Sequence, residues 1–264
     1  MEVSSTRKRQ RRLRTKPVTI TTTNSLFEQL WVRLLCLCCG VLVTVFVIYS
    51  SVQSSRAHAY FQTAKNGVVN FSRGDFSQQT QIINAAKQAI AIYPNKANYH
   101  DTLASLYEYL AISVINQQHK DKDSVMIQRQ WLALAYSHYQ TAAMWRPYWP
   151  VTHANMAMIK WRQNQIDEVL LAHLLRAHQL GAMKDEVHQL MVNIGSAFYL
   201  SQHPYFAEHQ SLFVSHFANG LRNGSTRRYV KEHIRNMSLQ SDVCAWLEQD
   251  ETIQRLLKCV TESE

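Results

Sequence analysis

The sequence predicts an all-α protein in which one N-terminal transmembrane helix precedes an irregular tetratricopeptide-like helical-repeat domain. Three observations predict it. From Leu34 to Ser55 the chain runs for 22 residues without a charge. Beyond Arg56, apolar residues recur at intervals of three and four, which is the period of an amphipathic helix. Glycine and proline number only 7 and 5 of 264 residues, and no Asn-Gly hairpin joins two alternating runs.

Residues 1–33 form a basic tail. They carry eight cations and two glutamates, whereas the whole chain has a formal net charge of +9. The cations are Arg7, Lys8, Arg9, Arg11, Arg12, Arg14, Lys16 and Arg33. Beside a spanning helix, such a tail commonly sets membrane topology and contacts anionic lipid; nucleic-acid binding is the alternative, and we favour the first. The positive-inside rule then predicts a cytoplasmic N-terminus.

Residues 34–55 are the predicted transmembrane helix. Their apolar run reaches the ~20 residues that cross ~30 Å of hydrocarbon, and it exceeds the roughly 7–15 apolar residues of a cleavable signal. No small-x-small cleavage site stands out after it, so we expect a retained signal-anchor. Everything after Arg56 should lie outside the cytoplasm. In a bacterium this topology describes a single-pass inner-membrane protein with a periplasmic C-terminal domain.

Residues 56–222 are the predicted tetratricopeptide-like domain, within a stack of eight to ten helices. The interval from Pro147 to Gly181, each of which follows an apolar helix end, is 34 residues, the period of that repeat. Leu103, Ala104, Tyr107, Ala135, Tyr139, Ala142 and Pro147 match the packing positions of one unit. This unit has 19 residues too many, which we place around 115–128. A break is predicted at Gly67, and another type of helical bundle is the alternative fold.

Residues 223–264 are the predicted C-terminal helical cap. Cys244 and Cys259 bracket two short helical segments in it. An oxidising compartment would favour a disulfide between them, which would stabilise the fold by about 3 kcal/mol through chain entropy. Two free buried thiols are the alternative.

No motif predicts catalysis, a cofactor or a metal site. The sequence has no Gly-rich phosphate loop, no HExxH, no GxSxG and no CxxC outside the membrane helix. Among its twelve histidines, His173 and His178 lie five residues apart, which is not the i, i+4 spacing of a helical metal site. We therefore expect a protein that is not an enzyme. An enzyme that uses Asp101 or Glu108 as acid or base is a weaker alternative.

A cluster of aromatic and basic residues predicts a recognition surface. Three tryptophans, a tyrosine and several cations lie within 18 residues, and the candidates are Trp145, Arg146, Tyr148, Trp149, Lys160 and Trp161. Aromatic faces beside cations can stack on sugar rings or on the side chains of a partner. The alternative, which we weigh more heavily, is that Trp145 and Trp161 pack the helix pair while Tyr148 and Trp149 close the turn between repeats.

The arrangement resembles a known family. A basic tail, one anchor and a helical domain containing HYQTAAMWRPYWPVTHANMAMIKWRQNQIDEVLLAHLLRAHQLG are similar to the VpsP-type family of bacterial polysaccharide-biosynthesis proteins. The resemblance covers roughly residues 30–200 and rests mainly on the RPYWP turn and the RAHQLG helix end. A methionine stands where an aromatic residue would be expected after that glycine.

The resemblance implies a function without supplying site residues. That family lies in clusters that build surface or exported polysaccharide, and no catalytic centre is associated with it. We therefore expect a non-catalytic, membrane-anchored scaffold in the assembly or export of a cell-surface or extracellular polysaccharide. The expected partners are protein components of an envelope polysaccharide machinery, with glycan as a further candidate and no nucleic acid. A tetratricopeptide-like adaptor of a pilus, secretion or division complex is the alternative.

Overall fold

A computed structural model of the protein describes residues 23–116 and 122–259. Within these residues it contains twelve α-helices and no strand, which confirms the all-α prediction. The helices are α1 (Thr23–Ser72), α2 (Gln79–Ile92), α3 (Ala97–Asn116), α4 (Lys122–Trp145), α5 (Pro150–Arg162), α6 (Glu168–Gly181), α7 (Asp185–Leu200), α8 (Pro204–Glu208), α9 (Gln210–Arg222), α10 (Arg227–Asn236), α11 (Gln240–Trp246) and α12 (Glu251–Leu257). The tail cations from Arg7 to Lys16 lie outside the described residues.

The chain divides into two compact units, the first of which ends at Val52. Its described part belongs to α1, the one helix in the described chain that is long and apolar enough to cross a membrane. Large apolar side chains along this stretch, including Leu35, Leu42 and Phe46, are exposed. Such a continuous apolar surface is costly in water, which is consistent with a single membrane anchor.

The second unit begins at Gln53 and contains the remaining helices. In it, α1 continues through the predicted break at Gly67 and ends at Ser72, so that prediction is wrong. The physical reason is packing, because a Cβ atom at Gly67 would collide with the side chain of Ile82 on α2. Glycine here lets two helices approach closely. The turn comes later, at Gly74, whose φ of +81° suits glycine.

The α3–α4 pair contains the predicted packing positions. Its side chains Leu103, Ala104, Tyr107, Ala135, Tyr139 and Ala142 are all at most 3% exposed. Pro147 lies in the turn after α4 ends at Trp145. The helices are long, with 20 residues in α3 and 24 in α4. The described part of the predicted insertion therefore lengthens both helices, and its residues 117–121 lie outside the described residues.

Further helix pairs follow along the chain. In the α5–α6 pair, Ala157 packs in one cluster with Leu170, Leu174 and Ala177. In the α7–α9 pair the same cluster contains Phe198 and Phe213. The short helix α8 lies between α7 and α9 in the chain.

The C-terminal helices are packed on the preceding pair. Side chains of α10 to α12, such as Val230, Val243 and Ile253, form one cluster with Phe217 and Leu221 of α9. Cys244 of α11 and Cys259, which follows α12, are joined by a disulfide with their Cα atoms 5.8 Å apart. The described part of the predicted cap, residues 223–259, thus shares a core with the helices before it.

Candidate recognition surface

The turn between α4 and α5 brings aromatic rings and cations together. Tyr148 is 74% exposed, and the Arg176 guanidinium carbon lies 5.7 Å from the centre of its ring. The Trp149 ring has two cations near it, with Arg146 Cζ at 4.4 Å and Lys184 Nζ at 5.4 Å from the ring centre. We call these five residues the aromatic–cation surface.

The local sequence explains how α6 reaches this turn. Gly181, the last residue of α6, packs against Pro150, the first residue of α5, and an added Cβ would lie 2.5 Å from Pro150 Cγ. Because only glycine allows this approach, the C-terminal end of α6 returns to the turn. Arg176 and Lys184 consequently come within reach of the two rings.

An ion pair holds the base of the turn. Arg146 pairs with the carboxylate of Asp101 on α3, and Thr152 Oγ1 of α5 donates to the same carboxylate at 2.9 Å. Burial raises the pKa of Asp101, although the hydrogen bond from Thr152 and the charge of Arg146 act in the opposite direction. The turn is thereby tied to both neighbouring helices.

The charge of the surface is only partly neutralised. Arg146 has a carboxylate partner, whereas Arg176 and Lys184 form no ion pair with any carboxylate in the described chain. An exposed ring can stack on the apolar face of a sugar ring, and a cation beside it can bind an acidic group of the same ligand.

The six predicted recognition residues do not all meet. Arg146, Tyr148 and Trp149 share the surface, and Trp145, at the end of α4, is 51% exposed. Lys160 and Trp161, by contrast, lie near the other end of α5, about 15 Å along the helix axis from its first residue.

Lys160 and Trp161 make packing contacts at that end. Lys160 is 9% exposed and donates hydrogen bonds to Asp167 at 2.7 Å and to Gln165 at 2.8 Å. The Trp161 ring meets Phe198 of α7 edge-on, with ring centres 5.6 Å apart. These contacts join α5 to the helices that follow it.

Sequence reasoning missed Arg176 and Lys184. They stand 28 and 36 residues after Tyr148, so their proximity depends on the return of α6 to the start of α5. The antiparallel course of a helix pair was the available signal. It implies that the end of the second helix lies beside the start of the first.

Asp101 and Glu108, the two carboxylates that an enzyme could use as acid or base, both make contacts between helices. Asp101 pairs with Arg146, as described above, and Glu108 pairs with Arg162 of α5. Glu108 also accepts a hydrogen bond of 2.9 Å from the hydroxyl of Tyr139, which is fully buried on α4. These contacts tie α3 to α4 and α5.

Three histidines, one each from α6, α7 and α9, form a chain of close ring contacts between these helices. Nδ1 of His178 lies 2.9 Å from Nε2 of His216, and Nδ1 of His216 lies 2.9 Å from Nδ1 of His188. Burial and the two neighbouring histidines lower the pKa of His216 to about 3. The ring nitrogens of His216 face different partners, and no group of three or more potential metal ligands occurs among the described residues.

No family model matches the chain, and no curated protein matches it. The fold and the surface together define the class: an all-α protein whose described residues include one candidate membrane span, paired helices and an aromatic–cation surface.

Proposed function

We propose that the protein is a non-catalytic, membrane-anchored scaffold in the assembly or export of a cell-surface or extracellular polysaccharide. The observation that carries the proposal is the aromatic–cation surface, where Arg176 lies beside the exposed Tyr148 ring and Lys184 lies beside the ring of the adjacent Trp149. A polysaccharide with acidic sugars matches both features. Its ring faces stack on the aromatic side chain, and its carboxylates pair with the two cations.

The proposed location is the inner membrane, with the N-terminus in the cytoplasm and the helical domain in the periplasm. Support comes from the apolar exposed stretch of α1 and from the eight cations that precede it in the sequence. The disulfide between Cys244 and Cys259 favours the same location for the domain, because disulfides persist in oxidising compartments. The resemblance to the VpsP-type family agrees with this location.

A scaffolding role is favoured over catalysis. Stacked helix pairs typically present binding surfaces, and Asp101 and Glu108 are both held in ion pairs with arginines. The proposed partners are protein components of the polysaccharide machinery, together with the polymer itself. No cofactor is part of the proposal.

The first experiment measures binding of the purified full-length chain in detergent to polysaccharide isolated from the source organism. The double variant Tyr148→Ala, Arg176→Ala should bind roughly tenfold more weakly, because it loses both the ring and an ion pair. The matched control is the double variant Met126→Ala, Arg129→Ala, which changes two exposed positions on α4 and should bind normally. Equal binding by both double variants would refute the role of the surface.

A further inference from the structure

The C-terminal helices form a second basic site, which sequence reasoning did not detect. A cleft with a volume of about 500 Å³ lies between α10 and α12. The cations that line it are Arg227, Arg228, Lys231, Arg235 and Lys258, and all five are exposed. Among the described lining residues, Glu232 is the one acid. We call this site the α10 cleft.

Most of the charge in the α10 cleft is not neutralised. Arg228 pairs with Glu232, with 2.9 Å between Nε and Oε1. Arg227 donates to the backbone carbonyls of Leu221 and Arg222, and Lys231 donates to the carbonyl of Leu256 at 3.1 Å. Over the described ranges, no carboxylate pairs with the side chains of Arg227, Lys231, Arg235 or Lys258. Neutral carbonyl groups thus position Arg227 and Lys231, and the cations without a carboxylate partner attract an anionic ligand.

The cleft is held in shape by contacts between α10, α11 and α12. Lys231 links α10 to α12 through the carbonyl of Leu256, and Gln240 of α11 donates to the carbonyl of Leu257 at 2.8 Å. The disulfide from Cys244 to Cys259 joins α11 to the residue after Lys258. A ligand therefore meets a preformed site, which reduces the entropic cost of binding.

The apolar lining of the cleft distinguishes between two kinds of anionic ligand. Ile234, Leu256 and Leu257 supply that lining, and no aromatic ring occurs among the described residues that line the cleft. Sugars are typically bound by stacking on rings, as proposed at Tyr148. Aliphatic side chains beside cations instead suit a peptide that carries aliphatic and acidic residues together.

We propose that the α10 cleft is a docking site for an acidic segment of a partner protein, in which Asp or Glu side chains accompany Leu or Ile. The acidic groups pair with Lys231, Arg235 and Lys258. The aliphatic groups contact the apolar lining around Leu256. This site is separate from the aromatic–cation surface, and the inference does not depend on the proposed binding of polysaccharide.

The test uses full-length protein in detergent and three probes. The first is a fluorescent synthetic peptide of about twelve residues in which Glu alternates with Leu. The second replaces each Leu with Ser, and the third is an unlabelled oligogalacturonate used as a competitor. The proposal expects the first peptide to bind, with affinity that falls as salt rises, and the serine peptide to bind about tenfold more weakly.

Variants locate the binding to the cleft. The double variant Lys231→Glu, Arg235→Glu should weaken binding of the first peptide about tenfold. The control is the double variant Lys65→Glu, Arg129→Glu, which changes the net charge by the same amount at two exposed positions and should bind normally. Arg235→Glu alone should also weaken binding. It guards against a folding artefact, because in the described structure the Arg235 side chain has no hydrogen-bond partner.

Three results would overturn the inference. The first is equal affinity for the serine and leucine peptides. The second is displacement of the fluorescent leucine peptide by oligogalacturonate at the same concentration at which the unlabelled leucine peptide displaces it. The third is equal binding by the cleft variant and its control.

Discussion

Gly195 of α7 lies against the ring of Phe213 of α9, so closely that an added Cβ would lie 2.7 Å from Phe213 Cδ1. This contact belongs to a repeated pattern. Ile194, Gly195 and Phe198 have the spacing of Leu103, Ala104 and Tyr107, and Phe213, Phe217 and Gly220 have that of Ala135, Tyr139 and Ala142. The α7–α9 pair therefore repeats the spacing of the α3–α4 pair, with a large residue opposite glycine.

The close approach at Gly195 predicts a stability effect. Gly195→Val should lower the free energy of unfolding by about 2 kcal/mol, because the added side chain overpacks against Phe213. Urea unfolding of the full chain in detergent, followed by circular dichroism, measures it. Gly224→Val is the matched control and should change stability little, because nothing lies within 4 Å of its added Cβ. Equal losses would show that the contact at Gly195 is not close.

The disulfide gives a second prediction, on redox state and location. Thiol-reactive labelling of protein trapped directly from cells should leave Cys244 and Cys259 unmodified until a reductant is added. The double variant Cys244→Ser, Cys259→Ser should have a free energy of unfolding about 3 kcal/mol lower, because it loses a cross-link between positions 15 residues apart. Labelling without reductant would contradict both the bond and an oxidising location.

The buried histidine chain gives a pH dependence. The pKa of His216 is about 3 in the fold, against an ordinary value of 6.5, so the unfolded chain binds a proton first as pH falls. Its contribution to stability is complete above pH 6.5 and is lost as pH falls from 6.5 towards 3. His138 and His173, whose pKa values burial lowers to about 4, act in the same direction.

Unfolding measured between pH 6.5 and 5, above most carboxylate pKa values, should show this loss. The slope is at most about 1.4 kcal/mol per pH unit for each extra proton bound by the unfolded chain. His216→Asn should make the slope shallower. Stability that does not change with pH over this window would contradict the burial of neutral histidines.

The contacts of Glu108 predict that it stabilises the fold. Glu108→Ala leaves the Arg162 guanidinium and the buried Tyr139 hydroxyl without this acceptor, and it should cost about 1–3 kcal/mol. The exposed Glu186 supplies the control, and Glu186→Ala should be nearly neutral. A Glu108→Ala protein that unfolds at the same urea concentration as the parent would contradict this role.

The fold class could be predicted because helical periodicity is local and repeated. The two short helices α11 and α12 were expected between Cys244 and Cys259, but the number of helices was underestimated at eight to ten. The helix α8 contains only 5 residues and shows too little periodicity to be recognised. Gly67 was misinterpreted because a sequence does not distinguish a glycine that ends a helix from one that lets two helices touch. The repeat in the α7–α9 pair was missed because the large residue Phe213 stands at the position that the small residue Ala135 has in the α3–α4 pair.

The sites were less predictable, because they are assembled from distant segments. Tyr148 and Trp149 were identified from the aromatic and basic residues of their own segment, but Arg176 comes from α6 and Lys184 directly precedes α7. The α10 cleft escaped because its basic residues are spread from Arg227 to Lys258 in a region of modest net charge. Only the packing of α10 against α12 brings them together.

The central claim, a membrane-tethered role in polysaccharide assembly, is tested most directly in a strain that lacks the gene. The measurement is the amount and chain length of surface and exported polysaccharide, with complementation by the full chain or by residues 57–264 without the anchor. A membrane-tethered role predicts loss of long polymer that only the full chain restores. Normal polymer in the deletion strain, or equal restoration by residues 57–264, would contradict it.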